Sequence, residues 1–134
     1  MIEMTGSQGF QRTQQEEPRV GRRSAPIKMM TVTAVTAGTA QTLITAPATR
    51  AIEVRSLMIS NITAIDVTFN LYAVPSGGAV DDTTALIKGA VIKANASDDL
   101  AKYIDRFYEA GTSLRVFCNT ASAVKMKGMV EEVY

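Results

Sequence analysis

One alternating segment limits most strongly how this chain can fold. In residues 66–74 the side chains of Val67, Phe69, Leu71 and Ala73 fall on one face of an extended backbone, and the residues between them fall on the other. The segment ends at the sequence Pro-Ser-Gly-Gly, since proline cannot continue a ladder and glycine permits a tight turn. The pattern therefore predicts a central strand with one buried side.

Seven further segments carry β-branched runs between turn residues: residues 30–35, 41–45, 52–60, 85–93, 100–105, 114–118 and 124–133. Their spacing is typical of an all-β sandwich or barrel. A chain of 134 residues has room for about one such domain. We expect an all-β protein, with a single antiparallel β-sandwich of jelly-roll type at residues 29–134 and an extended N-terminal arm at residues 1–28.

Residues 97–111 also fit a helix. Ser97 could cap it, Leu100, Ile104 and Phe107 have helical spacing, and Gly111 could end it. A helix and a strand followed by a loop are therefore both open for this segment.

The arm is rich in Gln, Arg, Glu, Gly and Ser, with few apolar residues. Such a composition buries too little apolar area to offset the entropy lost on ordering. The arm is either a terminus without a role or a segment that orders against a partner. In the second case the partner contacts would be the ion-pair donors Arg19, Arg22 and Arg23 and the apolar side chains Phe10 and Ile27.

The composition argues against catalysis and cofactors. Histidine is absent, Cys118 is the single cysteine, and no phosphate-binding loop or nucleophile elbow occurs. Cys118 shares a strand face with Leu114 and Val116, which indicates a buried thiol. Two pairs of adjacent aspartates occur, at positions 81–82 and 98–99. They are interpreted as turn residues rather than as a calcium site, so no metal is expected.

A net charge of +1 predicts no nucleic-acid partner and no binding to an anionic membrane. The one dense aromatic cluster consists of Tyr103, Phe107 and Tyr108, with Arg106 among them. It is either the edge of the core under a loop or an exposed patch for a partner subunit or a glycan.

Four motifs occur in a characteristic order: EVRSLMISNITA at 53–64, NLYAVPSGG at 70–78, EAGTSLRV at 109–116 and TASAV at 120–124. In this order they resemble a family of small β-sandwich virion proteins encoded among the head and tail genes of tailed bacteriophages. The resemblance covers residues 40–134 and leaves the arm unmatched. It favours a strand through Tyr103 followed by a loop over the helix at 97–111.

The resemblance implies a non-catalytic structural component of a tailed-phage virion, of the capsid-decoration or head-fibre type, assembled in the bacterial host cytoplasm. Its partners would be capsid, portal, neck or tail subunits and further copies of itself in a symmetric assembly. A tail or collar adaptor and a glycan-binding β-sandwich module are the alternatives.

Overall fold

The computed structural model of the chain describes residues 22–133. The strands are β1 (Arg22–Val32), β2 (Gln41–Thr45), β3 (Ala51–Asn61), β4 (Val67–Val74), β5 (Ala85–Ile92), β6 (Ser97–Asp99), β7 (Phe107–Tyr108), β8 (Ser113–Cys118) and β9 (Val124–Val133). Short 3-10 turns occupy Ala37–Thr39, Asp82–Thr84 and Leu100–Tyr103. Residues 22–133 contain no apolar helix of membrane-spanning length.

The strands form two antiparallel sheets. Sheet I has the order β1-β9-β3-β6, with β7 also paired to β3, and sheet II has the order β2-β8-β4-β5. The chain passes repeatedly from one sheet to the other, and its last strands insert between its first ones. This nesting is the topology of a jelly roll. The predicted all-β sandwich is therefore confirmed.

The core lies between the two sheets and is built from alternate residues of the long strands. Leu114, Val116 and Cys118 share one buried face of β8, as the sequence predicted. The largest fully buried side chains include Ile52, Leu57, Ile59, Leu71, Leu114 and Met126. Apolar burial of this kind is the main favourable contribution to folding.

The strand predicted at residues 66–74 is present as β4, but it is buried on both sides. Tyr72 and Val74 pack against Ala40 in a second small cluster on the outer side of sheet II. Asn70 is buried as well; its Nδ2 donates to Tyr72 Oη at 2.8 Å and its Oδ1 accepts from the Gly89 amide at 2.7 Å. The sequence pattern predicted that one side of this strand faces solvent. This prediction is wrong, because residues distant in sequence cover the outer side.

The strand expected at residues 100–105 is replaced by the 3-10 turn Leu100–Tyr103, and the alternative α-helix is absent too. Asp99 Oδ1 accepts from the Leu57 amide at 3.1 Å and from the Ala101 amide at 3.0 Å. One carboxylate thus ends the pairing of β6 with β3 and caps the turn that follows. Leu100 is buried, which fixes the turn against the core.

The first strand begins earlier than the sequence indicated. The predicted boundary near Met29 falls inside β1, which begins at Arg22, so residues 22–28 belong to sheet I. Ile27 is only 3% exposed and packs in the core of its own chain, which conflicts with its predicted role as a partner contact. The predicted arm contacts Phe10 and Arg19 lie outside the described residues.

Candidate partner-binding surfaces

A buried carboxylate lies on the outer face of sheet I, at the end where β1 begins. Glu53 of β3 is directly opposite Glu131 of β9 on one side and Phe107 of β7 on the other. Although its side chain points away from the core, it is buried. Three arginines from separate parts of the chain surround it. We call these arginines, Glu53 and the neighbouring Glu131 the Glu53 cluster, which consists of Arg22, Glu53, Arg55, Arg106 and Glu131.

Both oxygens of Glu53 are occupied. Arg22 Nη1 donates to Glu53 Oε1, while Arg106 Nη2 donates to Oε2 at 2.6 Å and Arg55 Nη1 to the same oxygen at 3.4 Å. Arg22 Nη1 also lies 3.3 Å from Glu131 Oε1. A buried carboxylate that accepts several charge-assisted hydrogen bonds satisfies the usual condition for placing a charge away from water.

The ionisation of Glu53 follows from these contacts. Burial on its own would raise the pKa of Glu53, but the hydrogen bond from Arg22 and the charges of Arg22, Arg106 and Arg55 outweigh it, so this pKa lies below its ordinary value. The hydrogen bond to Glu53 likewise raises the pKa of Arg22, against a smaller opposing effect of burial. Glu53 is therefore a carboxylate near neutral pH.

The Glu53 cluster joins the first residue of β1 to the middle of sheet I and to the residue before β7. It fixes the point at which residues 1–21 enter the domain. The sequence predicted Arg22 and Arg106 as donors to a partner, but the structure pairs both with Glu53 of their own chain. Arg23 lies opposite Glu132 of β9.

The predicted aromatic cluster is divided between two environments. Tyr103 is 59% exposed and Phe107 is 58% exposed, whereas Tyr108 is 8% exposed and packs in the core. Tyr108 Oη has no hydrogen-bond partner within residues 22–133, and burial, followed by the charge of Asp105, raises the pKa of Tyr108. The ammonium of Lys102 lies 5.2 Å from the centre of the Tyr103 ring, a cation–π contact.

An apolar cleft opens between the edges of the two sheets, and the sequence analysis did not find it. This β5–β6 cleft has a volume of about 550 Å³ and lies between β5 of sheet II and the β6–turn segment of sheet I. Its lining includes Ile59, Phe69, Leu86, Ile87, Leu100 and Tyr103. The cleft exists because β6 has three residues and β5 has eight, so sheet I covers less of this side than sheet II does. The three consecutive apolar residues that begin β5 were the available sequence signal.

The acidic pairs have turn functions. Asp81 Oδ1 accepts from the Thr83 amide at 2.9 Å and caps the turn Asp82–Thr84, and Asp98 forms an ion pair with Lys102 at 3.1 Å. No group of three or more potential metal-ligating Cys, Asp or Glu side chains occurs within residues 22–133. Cys118 is buried, its Sγ donates to the Thr120 carbonyl at 3.0 Å, and burial raises the pKa of the thiol.

The fold and these surfaces define a jelly-roll β-sandwich domain with a clamped first strand and an open apolar side. No protein-family model matches the chain, and no curated protein matches its sequence.

Solved structures with a similar arrangement include three chains from infectious bursal disease virus. A chain of the Gx strain aligns with a TM-score of 0.48 at 12% identity, covering 87% of this chain and 32% of that one. A chain of the T13 IBDV viral particle aligns with a TM-score of 0.39 at 13% identity, covering 84% of this chain and 30% of that one. A chain of the Gt strain aligns with a TM-score of 0.38 at 11% identity, covering 86% of this chain and 33% of that one. This chain thus spans about a third of the length of the chains it matches.

Proposed function

We propose that this protein is a non-catalytic structural component of a virion and that it attaches to neighbouring subunits through its N-terminal segment. The observation that carries the proposal is the Glu53 cluster, because it pairs Arg22, the residue that directly follows residues 1–21, with the buried Glu53 of sheet I. The resemblance of the four sequence motifs favours a tailed-phage virion, and within it a capsid-decoration or head-fibre position. Assembly would take place in the bacterial host cytoplasm.

The physical argument rests on the contrast between the two parts of the chain. Residues 1–21 are polar, with Phe10 as their single aromatic residue, and gain too little from folding alone. A partner that supplies apolar contacts can order such a segment, and the cost of ordering makes each contact weak. A symmetric assembly overcomes this weakness by repeating the contact.

The fold agrees with this role without selecting it. Jelly rolls occur in viral capsid subunits, in lectins and in cupins. Fold alone does not specify function, so the argument depends on the surfaces of this chain. Cupin-type metal chemistry commonly relies on imidazole ligands, and this chain has no histidine.

The test compares the full chain with a chain that begins at Arg22. This starting point keeps β1 and the buried Ile27, which a start at Met29 would remove from sheet I. Circular dichroism and melting curves first establish that the shortened chain has the same sheet content as the full chain. We then expect it to be missing from particles that are otherwise complete, as quantified by mass spectrometry. Equal occupancy of folded full-length and shortened chains would contradict the proposal.

A glycan-binding module is the second candidate, favoured by the exposed rings of Tyr103 and Phe107. Aromatic side chains of this kind serve as contact surfaces in many binding sites. This function predicts saturable binding of an oligosaccharide by the full chain and its loss in Tyr103→Ala or Phe107→Ala. Absence of binding across a broad glycan array would leave the structural role as the remaining candidate.

A further inference from the structure

We propose that the β5–β6 cleft receives the N-terminal segment of a second copy of this chain, with Phe10 as the side chain that enters it. This inference rests on the proposed function, since it names the partner and the receiving surface for the segment. It uses a part of the molecule to which the sequence analysis gave no role.

The cleft has the properties of a receiving site for an apolar side chain. Its volume of about 550 Å³ lies within the range of about 300–1,000 Å³ found for ligand sites. Aliphatic and aromatic side chains from both sheets make up most of its lining, with Lys93, Ser97 and Asp98 as the polar part, and Val91 in this lining is 57% exposed. An exposed apolar surface between two sheet edges costs free energy in water, and an inserted side chain removes that cost.

The edge of β5 offers backbone hydrogen bonds to the same segment. Within residues 22–133, β5 pairs with β4 alone, so the amides and carbonyls on its other edge have no strand partner there. An extended peptide commonly adds to such an edge, with pockets beside the edge accepting alternate side chains. The cleft lies directly beside this edge and provides such a pocket.

The N-terminal segment suits the site in length and composition. Twenty-one residues precede Arg22, and Phe10 is the one aromatic residue among them. Phe10 lies twelve residues before Arg22, a span of at most about 40 Å for an extended chain. The segment can therefore place one large apolar side chain well away from the domain that carries it.

The position of the cleft favours a second copy over the segment's own domain. Arg22 lies on β1 opposite Val133, at the Ala51 end of β3, whereas β6 pairs with β3 near Ile59 on the opposite edge of sheet I. The path over the sheet is about 26 Å along β3 and about 14 Å across three strand spacings. Because these two components are perpendicular, the direct path is about 30 Å, and turning over the edge of sheet I into the space between the sheets adds up to about 10 Å. A segment with a reach of about 40 Å therefore enters its own cleft only when it is fully extended. The cleft of an adjacent copy has no such restriction.

This geometry determines the type of assembly. The base of the segment and the receiving cleft are different surfaces at opposite corners of one domain. A contact between unlike surfaces is head-to-tail, and repetition of such a contact closes into a ring or continues into a lattice. Each copy then gives one segment and receives one, which makes many weak contacts collectively stable.

The test is disulfide trapping between two full-length variants. Gln11→Cys, which leaves the adjacent Phe10 in place, is mixed with Val91→Cys under mild oxidation, and the mixed dimer is quantified by mass. The matched control replaces Val91→Cys with Val35→Cys, which alters a residue of similar exposure, 50%, in the connection between β1 and β2. Because docking raises the effective concentration to the millimolar range, we expect the Val91 pair to form roughly tenfold faster than the Val35 pair at about 100 µM chain. Cys118 is fully buried, so the unmodified chain serves as the blank.

Equal rates for the two pairs would overturn the proposal. So would a disulfide that forms within single molecules of the double variant Gln11→Cys/Val91→Cys while the mixed variants stay unlinked, because the segment would then occupy its own domain. A third variant, Ala90→Trp added to Val91→Cys, fills the cleft and should abolish the trapping; its melting temperature verifies that it is folded. Persistent trapping in this folded variant would place Phe10 outside the cleft.

The result separates this inference from the proposed function. If the chain beginning at Arg22 is absent from particles but no trapping occurs, the attachment role is retained and the cleft is refuted as its receptor. If trapping occurs while the shortened chain is incorporated normally, the cleft contact is supported and attachment through the segment is refuted.

Discussion

At Gly128, β9 passes so close to β3 that there is no space for a side chain. A Cβ placed there would overlap the carbonyl oxygen of Ser56 and lie 3.0 Å from Leu57 Cα. Both atoms belong to the backbone of a strand that is paired on both sides. They cannot move without disturbing the ladders of sheet I, so we expect Gly128→Ala to destabilise the protein.

The magnitude follows from the cost of overpacking. Inserting one extra carbon into a well-packed region costs about 1–3 kcal/mol, and the upper end applies where backbone must shift. For a domain of this size about 3 kcal/mol corresponds to a fall in melting temperature of about 12 °C. The measurement is a melting curve followed by circular dichroism, with chemical denaturation to obtain the free energy of unfolding.

Two other glycines provide matched controls. A Cβ at Gly38 would meet nothing within 4 Å, so Gly38→Ala should leave stability unchanged or raise it by up to about 1 kcal/mol. Gly89 also has open space but a φ of +67°, so Gly89→Ala should cost about 1–2 kcal/mol through backbone strain alone. Two results would refute the close approach of β9 and β3. One is a Gly128→Ala protein with the melting temperature of the wild type, and the other is a Gly38→Ala protein with a lower melting temperature than Gly128→Ala.

Three further predictions concern the core, the Glu53 cluster and the thiol. Phe69→Ala should lower the free energy of unfolding by about 2–5 kcal/mol in urea, while Val91→Ala on the adjacent strand should change it by less than about 0.5 kcal/mol; equal effects would contradict the assigned core. Because the pKa of Glu53 is lowered on folding, its stabilisation is complete above the ordinary value of 4.5 and is lost as the pH falls through the folded value. The melting-temperature difference between wild type and Glu53→Gln should therefore be constant near neutral pH and shrink below about pH 4.5. A difference that stays constant down to about pH 2 would refute the linkage. The control is Glu109→Gln, which alters an exposed glutamate. Cys118 should react with iodoacetamide at pH 8 roughly 100-fold more slowly in the native protein than in urea, because it is buried and its pKa is raised; rapid native labelling would show that β8 opens readily.

Sequence reasoning succeeded where one face of a strand meets the core and the polar residues alternate with it. The segments 41–45 and 124–133 were predicted with the observed ends, and β4 and β8 with nearly the observed ends. Period-two patterning is a local property, so it can be recognised without knowledge of the partners. It failed on the outer side of β4, where the burial of Tyr72 depends on residues that are far away in sequence.

The segment 97–111 shows a different limit. Its helical spacing was real, but only the four residues of the turn Leu100–Tyr103 took a helical form. The hydrogen bond from the Leu57 amide to Asp99 commits the preceding residues to β3, and this long-range contact outweighs local propensity. The same early end of β6 produces the cleft, which explains why the site could not be predicted from the sequence.

The beginning of β1 was missed because an edge strand needs few apolar residues. Between Arg22 and Lys28 a single large apolar side chain, Ile27, faces the core, and the composition resembles that of the preceding polar segment. Pairing with β9 supplies the backbone hydrogen bonds that the composition does not reveal. Edge strands with charged residues and proline also resist pairing with other chains, which gives this composition a physical use.

Glu53 was the most informative residue that sequence reasoning did not identify. Within the alternation of β3 it occupies an outward position, where a glutamate is ordinarily solvated. Its burial arises from Arg22 and Arg106, which are 31 and 53 residues away in sequence. Removing Arg22 would take away the hydrogen-bond donor to one oxygen of this buried carboxylate, whereas removing an exposed ion pair would change little. Because Arg22 is the first residue of β1, loss of the cluster should loosen β1 before it affects the core.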